Sequence, residues 1–204
     1  RCYLDALSGI AVTGLGHAHP AVTQAVQRQA ERLLHTSNLY AIPQQAEAGA
    51  RLCQVMEMER VFFANSGAEA NEAAIKLARL HGHRRGVESP HIVVMEGAFH
   101  GRTLATLTAT GNVKAQAGFD PLLPGFLRVP YDDIAALDEL AQTRADIVAV
   151  LVEPVQGEAG IRIPGEDYLA RLRACCDRQG WLLLCDEIQS GMGRSGHWLA
   201  SQRA

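Results

Sequence analysis

The sequence has no long apolar run and no excess of charge of one sign. None of its hydrophobic stretches approaches the roughly 20 residues that a membrane-spanning helix needs, and no charged-then-apolar leader opens the chain. Its 19 basic and 22 acidic residues give a formal net charge of -3. Because nucleic acids and anionic membranes bind clustered lysine and arginine, we expect neither as a partner.

Cysteine is present without a pattern. The five cysteines show no C-x-x-C spacing and no regular framework, so neither a disulfide scaffold nor a zinc site is expected. His17 and His19 form a single H-x-H with no matched third ligand, which is usually structural. The sequence therefore predicts no metal site and a reducing, cytoplasmic setting.

What the chain does contain is apolar material in alternating blocks. Of its 204 residues 48% are hydrophobic and 20% charged, which is typical of a globular protein. Short aliphatic runs alternate with helical patterns after residue 40, and this alternation predicts an α/β architecture with a buried parallel sheet. We predict an N-terminal segment at 1–40 and a larger domain at 41–204. The predicted strands are 60–64, 92–95, 147–152 and 181–185, and the predicted helices are 20–34, 45–55, 68–80 and 168–179.

In parallel sheets ligands bind beyond the carboxyl ends of the strands, so the loops after the predicted strands are candidate sites. In the first loop Ser66, Gly67 and Ala68 precede a helix, whose open N–H groups and dipole could bind a phosphate. Ser66 with Glu69 three residues later is equally typical of a plain capping box. On this segment alone the two interpretations are even.

The second loop combines an aromatic ring with a guanidinium. Phe99 and Arg102 suit a flat heterocycle and a carboxylate, whereas His100 alone is more often structural than catalytic. In the third loop Glu153 and Glu158 lie among Pro and Gly, which indicates a shaped loop whose acids orient something positive. A merely solvated loop is the alternative.

The fourth loop begins with an acid at the end of an aliphatic run. Asp186 follows residues 181–185, and a carboxylate in such dry surroundings needs a cation, either an arginine or the pyridinium nitrogen of a cofactor. Residues 191–196 match G-x-G-x-x-G, but they lie beyond the strand end and open no βαβ unit. A dinucleotide site is therefore rejected.

Taken together, these loops resemble the class III, fold type I aminotransferases that use pyridoxal 5'-phosphate (PLP), most closely the acetylornithine and succinylornithine type. The resemblance runs over the whole chain, in order. It is carried by residues 14–20 (GLGHAHP), 65–72 (NSGAEANE), 99–103 (FHGRT), 153–160 (EPVQGEAG) and 186–196 (DEIQSGMGRSG). It implies an incomplete fold type I large domain, a mostly parallel sheet with helices on both faces, and an N-terminal segment of the small domain.

The resemblance also implies roles for individual residues. Ser66, Gly67 and Ala68 would bind the PLP phosphate, Phe99 would stack on the ring, and Asp186 would pair with the pyridinium nitrogen. Gln189 would hydrogen-bond the phenolic oxygen, with Glu187 and Ile188 of the same loop also near the cofactor. Arg102 would bind the substrate α-carboxylate, and Glu158 would lie near the substrate side chain with Glu153 supporting it.

One family feature has no match. The Schiff-base lysine of the family lies about thirty residues past the D-E-x-Q motif, which places it beyond Ala204, and neither Lys76 nor Lys114 matches it. No catalytic residue is therefore assigned within the chain, and both ends are expected to be cut. The chain alone is expected to be inactive.

Two functions from different classes remain open. The first is part of a homodimeric enzyme that transfers an amino group from N-acetylornithine to 2-oxoglutarate in arginine biosynthesis, with succinylornithine, ornithine and 4-aminobutyrate as competing donors. The second is a non-catalytic, lysine-free remnant that binds PLP. Ile10 is apolar where the free-ornithine enzymes carry tyrosine, which favours an acylated substrate.

Overall fold

A computed structural model describes residues 1–203, and they form two compact units. The first spans Arg1–Val61 and the second begins at Phe62. The helix at residues 43–56 lies within the first unit, where it faces the preceding helix across a groove. That residues 1–40 belong to a small domain stays a prediction.

The first unit is helical and contains a left-handed turn. Its elements are α1 (Ser8–Ala11), α2 (Pro20–Ala30) and α3 (Pro43–Met56). All four α1 residues have positive φ, from 55° to 64°. Such a conformation costs roughly 1–2 kcal/mol for each residue other than glycine. Local bonds offset part of that cost, since the Asp5 carboxylate accepts from the N–H groups of Leu7 and Ser8.

The second unit is a parallel sheet with connecting helices. Its strands are β1 (His91–Met95), β2 (Phe126–Val129), β3 (Ile147–Val152) and β4 (Leu182–Cys185). They pair in the order β2-β1-β3-β4, and every pairing is parallel. The helices are α4 (Gly67–Arg84), α5 (Leu104–Ala109), α6 (Val113–Gln116), α7 (Ile134–Thr143) and α8 (Tyr168–Gln179), followed by a 3₁₀ turn, Ala200–Arg203.

Apolar layers cover both faces of this sheet. Alternate residues of a strand point to opposite faces, so Ile92 and Val94 pack with α4 and α5, while Val93 and Met95 pack with α7 and α8. All six residues of β3 are buried. The predicted α/β fold with helices on both sides of a parallel sheet is confirmed.

The predicted elements of this unit differ from the structure at two strands, and helices α5, α6 and α7 are absent from the prediction. Residues 60–64 form no strand among the described residues, and Phe62 there is 72% exposed, because no described strand edge pairs with them. Strand β2 is absent from the prediction because Arg128 interrupts its apolar run. Arg128 as a whole is exposed, but its guanidinium donates to four carbonyls, at Met95 and at the end of α5, and partial desolvation lowers its pKa.

The residues at both ends of helix α4 favour the start and the end of a helix. Ser66 is its extended N-cap, and His81, His83 and Arg84 lie in the last turn, where positive charge suits the helix dipole.

No helix within residues 1–203 has the length and apolar character that crossing a bilayer requires.

Glycine at position 82 is required by the packing of α4 on the sheet. A Cβ there would lie 2.6 Å from Val148 Cγ1 and 2.9 Å from Pro90. Alanine favours a helix by about 1 kcal/mol over glycine, but overpacking costs about 1–3 kcal/mol. We therefore predict that Gly82→Ala lowers the free energy of unfolding in chemical denaturation, by up to about 2 kcal/mol. Leu77→Ala, on the exposed side of α4, should change it by under about 0.5 kcal/mol. A more stable Gly82→Ala variant would contradict this packing.

Candidate functional site

The amino end of α4 has both a capping arrangement and free first-turn N–H groups, the two interpretations that its sequence left open. Ser66 Oγ accepts from the Glu69 N–H at 3.2 Å, and the Glu69 carboxylate accepts from Asn65 at 2.7 and 2.9 Å, so a capping arrangement is present. The N–H groups of Gly67 and Ala68 lie in the first turn, where no intrahelical carbonyl is available to them. Capping and anion binding are therefore compatible, because they use different donors.

A buried carboxylate lies at the carboxyl end of β4. Asp186 is 7% exposed, and its Oδ2 accepts from Asn71 Nδ2 and from His100 Nδ1, both at 2.8 Å. Its Oδ1 accepts from the Ile188 N–H at 3.1 Å. Three donors hold this charge inside the protein, which satisfies the requirement that a buried carboxylate be hydrogen-bonded.

Two members of this cluster were missed by sequence reasoning. Asn71 lies inside the quoted motif at residues 65–72 without an assigned role, and His100 was interpreted as structural. Asn71 Nδ2 also donates to the His100 carbonyl at 2.9 Å, so it joins α4 to the loop after β1. The signal that could have found Asn71 is its position on the inner side of α4, four residues before the buried Ile75.

A second acid, Glu153, connects the loops that follow β1 and β3. Its Oε2 accepts from the Phe99 N–H at 2.9 Å, and the hydroxyl of Tyr131 donates to the carbonyls of Glu153 and Pro154 at 3.1 and 3.0 Å. Glu153 is 5% exposed, and burial raises the pKa of its carboxyl group. Phe99 is thereby fixed through its backbone at the carboxyl edge of the sheet.

The remaining residues of the Asp186 loop have separate environments. The Ile188 side chain lies against Gly67, where an added Cβ would approach it to 2.7 Å, and the Gln189 side chain lies against Gly157. Glu187 accepts from Ser190 Oγ and from the N–H groups of residues 200 and 201 at 2.8 to 2.9 Å. Its carboxylate thus caps the 3₁₀ turn, so only Ile188 and Gln189 point toward neighbouring candidate loops.

The predicted substrate residues lie at the surface. Arg102 and Glu158 are exposed, whereas Gly101 beside Arg102 packs on Ala68. Lys76 and Lys114 are also exposed, the first on α4 and the second in α6. The described residues therefore bring the cofactor candidates of α4, β1, β3 and β4 together within the second unit.

Comparison with known proteins decides the family. The family model of class III aminotransferases matches residues 1–204. The chain belongs to this family. The class III aminotransferase family uses PLP, as the sequence resemblance implies.

Individual relatives agree with this assignment. The chain is 57% identical to an acetylornithine aminotransferase of Nitrosomonas europaea over 99% of its length, and 53% identical to one of Nostoc over 95%. It covers 51% and 47% of those two proteins, so the chain spans about half the length of the curated relatives it matches.

Solved structures show the same fold. An ornithine aminotransferase of Toxoplasma gondii matches with a TM-score of 0.92 and 34% identity over 97% of this chain and 47% of its own. An N-acetylornithine aminotransferase of Stenotrophomonas maltophilia matches with a TM-score of 0.82 and 36% identity, over 97% and 49%. The predicted fold type I architecture of PLP-dependent transaminases is therefore confirmed for this part of the fold.

The residues at this edge fit the cofactor on two structural observations. Gly67 and Ala68 present first-turn N–H groups of an 18-residue helix, the kind of site that binds phosphate. Asp186 Oδ1 keeps acceptor capacity beyond its one backbone donor, as a protonated ring nitrogen requires. Asn71 lies on α4 and bonds to Asp186, so the two binding elements are held next to each other.

The raised pKa of Glu153 gives a pH-dependent prediction. A carboxyl whose pKa rises above its ordinary value near 4.5 contributes most to stability when protonated, and that contribution is lost as pH rises through the folded-state pKa. Glu153→Gln removes this titration while its amide oxygen can still accept from Phe99. We predict that the stability of the variant relative to the parent increases as pH rises above about 4.5.

Denaturation of the cofactor-free protein across that pH range measures the difference. Glu158→Gln, at an exposed position of the same loop, is the matched control. The difference in free energy of unfolding between this variant and the parent should not change with pH. If the stability difference between Glu153→Gln and the parent is also independent of pH, burial does not penalise the charge of Glu153.

Proposed function

We propose that the protein containing this chain is a PLP-dependent aminotransferase that transfers an amino group from N-acetylornithine to 2-oxoglutarate, a step of arginine biosynthesis. The observation that carries the proposal is the buried Asp186 carboxylate beside the amino end of α4. A carboxylate at this depth is costly without a positive partner, and among the described residues its one basic partner is His100, with no arginine or lysine paired with it. A protonated ring nitrogen supplies that partner.

The residues around Asp186 have complementary binding roles in this proposal. Ser66, Gly67 and Ala68 bind the phosphate, and Phe99 and Ile188 pack on the ring. Gln189 donates a hydrogen bond to the phenolic oxygen. Glu187 supports the same loop by accepting hydrogen bonds from Ser190 and from the N–H groups of residues 200 and 201. When bound, the cofactor supplies an electron sink for the carbanion left by loss of a substrate proton.

Asp186 keeps that electron sink effective. Its negative charge favours the proton on the ring nitrogen, because two opposite charges in a site of low dielectric attract strongly. The hydrogen bonds from Asn71 and His100 orient the carboxylate.

Substrate binding is assigned to Arg102 and Glu158. A guanidinium binds a carboxylate through two parallel hydrogen bonds, which suits the α-carboxylate of an amino acid donor. Both side chains are exposed, as groups that receive a soluble substrate need to be. The names and identities of the relatives support N-acetylornithine over other ω-amino donors.

Free ornithine is the second candidate donor, because an ornithine aminotransferase has a TM-score of 0.92 to this chain. A TM-score compares backbones, however, whereas donors are distinguished by side chains. Apolar Ile10 and the higher identity to acetylornithine enzymes support the acylated donor. Succinylornithine shares that acylated character, whereas 4-aminobutyrate has a carboxylate but no acylated α-amino group.

Neither lysine of the chain is assigned to catalysis. Lys76 is exposed on α4 and Lys114 is exposed in α6, and neither belongs to the Asp186 cluster. We therefore assign the Schiff-base amine to a lysine outside these 204 residues. A non-catalytic remnant that binds PLP is the alternative. Turnover by the natural protein decides between the two.

We further propose a cytoplasmic homodimer. Apolar side chains are exposed at several places in the second unit, among them Phe62 (72%), Ile161 (72%) and Ile163 (74%). Surfaces of this kind are typical of interfaces.

The role of Asp186 predicts a large effect of a small change. Asp186→Asn in the natural enzyme should lower kcat by about 100-fold or more, because a neutral amide no longer favours the ring proton. PLP should still bind through its phosphate, as absorbance of the purified protein would show. Asp177→Asn, an exposed aspartate of α8 paired with Arg173, is the control and should leave kcat unchanged. Near-normal turnover of the first variant contradicts the role.

Substrate profiling tests the proposed donor. We expect kcat/KM of the natural protein to be highest for N-acetylornithine or N-succinylornithine, lower for ornithine and lowest for 4-aminobutyrate. Initial rates with 2-oxoglutarate as acceptor give the ranking. A preference for 4-aminobutyrate would show that the subfamily is wrong, and no turnover of any donor would favour the remnant.

A further inference from the structure

The two oxygens of the Asp186 carboxylate have unequal surroundings. Oδ2 accepts two side-chain hydrogen bonds, from Asn71 Nδ2 and His100 Nδ1, both at 2.8 Å. Oδ1 accepts one, from the Ile188 N–H at 3.1 Å. A carboxylate oxygen has two lone pairs, so Oδ2 is fully used and Oδ1 retains one.

The two side-chain donors are themselves well fixed. Asn71 is 5% exposed and His100 is 2% exposed. Asn71 donates to the His100 carbonyl as well as to Asp186, and the His100 N–H donates to Thr110 Oγ1 at 3.0 Å. The Asn71 amide cannot move without breaking a second buried hydrogen bond, and the His100 backbone is held by Thr110, so the carboxylate meets donors with fixed positions.

Asn71 also fixes the distance between the amino end of α4 and Asp186, which the cofactor must match. It lies on α4, four residues after Gly67, and its bond to Asp186 connects positions 115 residues apart in the chain. The phosphate end and the nitrogen end of a rigid ring are bound by α4 and Asp186 respectively in the proposed function. A bond between these two elements therefore fixes their separation.

We propose that Asn71 and His100 are positioning residues that hold Asp186 by Oδ2 and leave Oδ1 as the oxygen that receives the protonated ring nitrogen. The inference rests on the proposed function and deepens it. His100 Nε2 is buried without a hydrogen-bond partner among the described residues, so Nδ1 provides the ring's contribution to the cluster.

The direct test is a crystal structure of the natural protein with PLP bound. The ring nitrogen should lie within hydrogen-bond distance of Oδ1, with Oδ2 still bonded to Asn71 and His100. Contact of the nitrogen with Oδ2 would overturn the inference while leaving the proposed function intact. Failure of the unaltered protein to bind PLP would instead overturn the proposed function.

Variants of the two donors test the same assignment in solution. His100→Leu and Asn71→Leu each remove one donor from Oδ2, whereas His100→Asn keeps an amide N–H near the place of Nδ1. The readout is the ¹⁵N chemical shift of the ring nitrogen in protein loaded with ¹⁵N-labelled PLP. Without its donors the carboxylate competes more strongly for the ring proton, so the signal should move toward that of neutral pyridine.

The expected pattern separates positioning from general stability. Both leucine variants should shift the signal and lower kcat by about tenfold or more, and His100→Asn should restore much of both. Thr108→Val removes a buried hydroxyl that bonds elsewhere, to Leu104 and Leu123, and should leave the signal unchanged. An unshifted signal in both leucine variants would overturn the inference. If neither variant folds, His100→Asn and the crystal structure decide it.

Discussion

The burial of one carboxylate constrains the whole candidate site. Asp186 lies at the end of a strand with 7% of its surface exposed, and a charge at that depth is costly unless several donors surround it. The donors come from α4, from the loop after β1 and from its own loop. Because each donor belongs to a different part of the chain, satisfying this one charge fixes the relative positions of three segments.

The parallel sheet makes this convergence possible. In the order β2-β1-β3-β4 the carboxyl ends of all four strands lie at one edge, so Phe99, Glu153 and Asp186 follow three adjacent strands to the same place. Glu153 then joins the first two of these loops through the Phe99 N–H. A sheet of antiparallel strands would have sent alternate loops to opposite ends, and the same residues would not meet.

Glycines at this edge allow close approach where a side chain would intervene. Gly67 receives Ile188, Gly101 packs on Ala68, and Gly157 receives Gln189. The first two contacts join the amino end of α4 to the loops after β4 and β1, and the third joins the loops after β3 and β4. These glycines of the motifs are therefore explained by packing between neighbouring segments.

The fold class and most candidate residues were determined by the sequence, because aliphatic runs of strand length and the loops that follow them are local features. Strand β3 and helix α8 lie at residues 147–152 and 168–179, as the pattern predicts. What the sequence left open was decided by tertiary contacts. Contacts between residues far apart in the chain decide whether residues 60–64 pair as a strand and whether Arg128 belongs to one. Such contacts also bring Asn71 and His100 to Asp186. Periodicity reports which side of an element is buried, but it cannot report which distant side chain meets a buried charge.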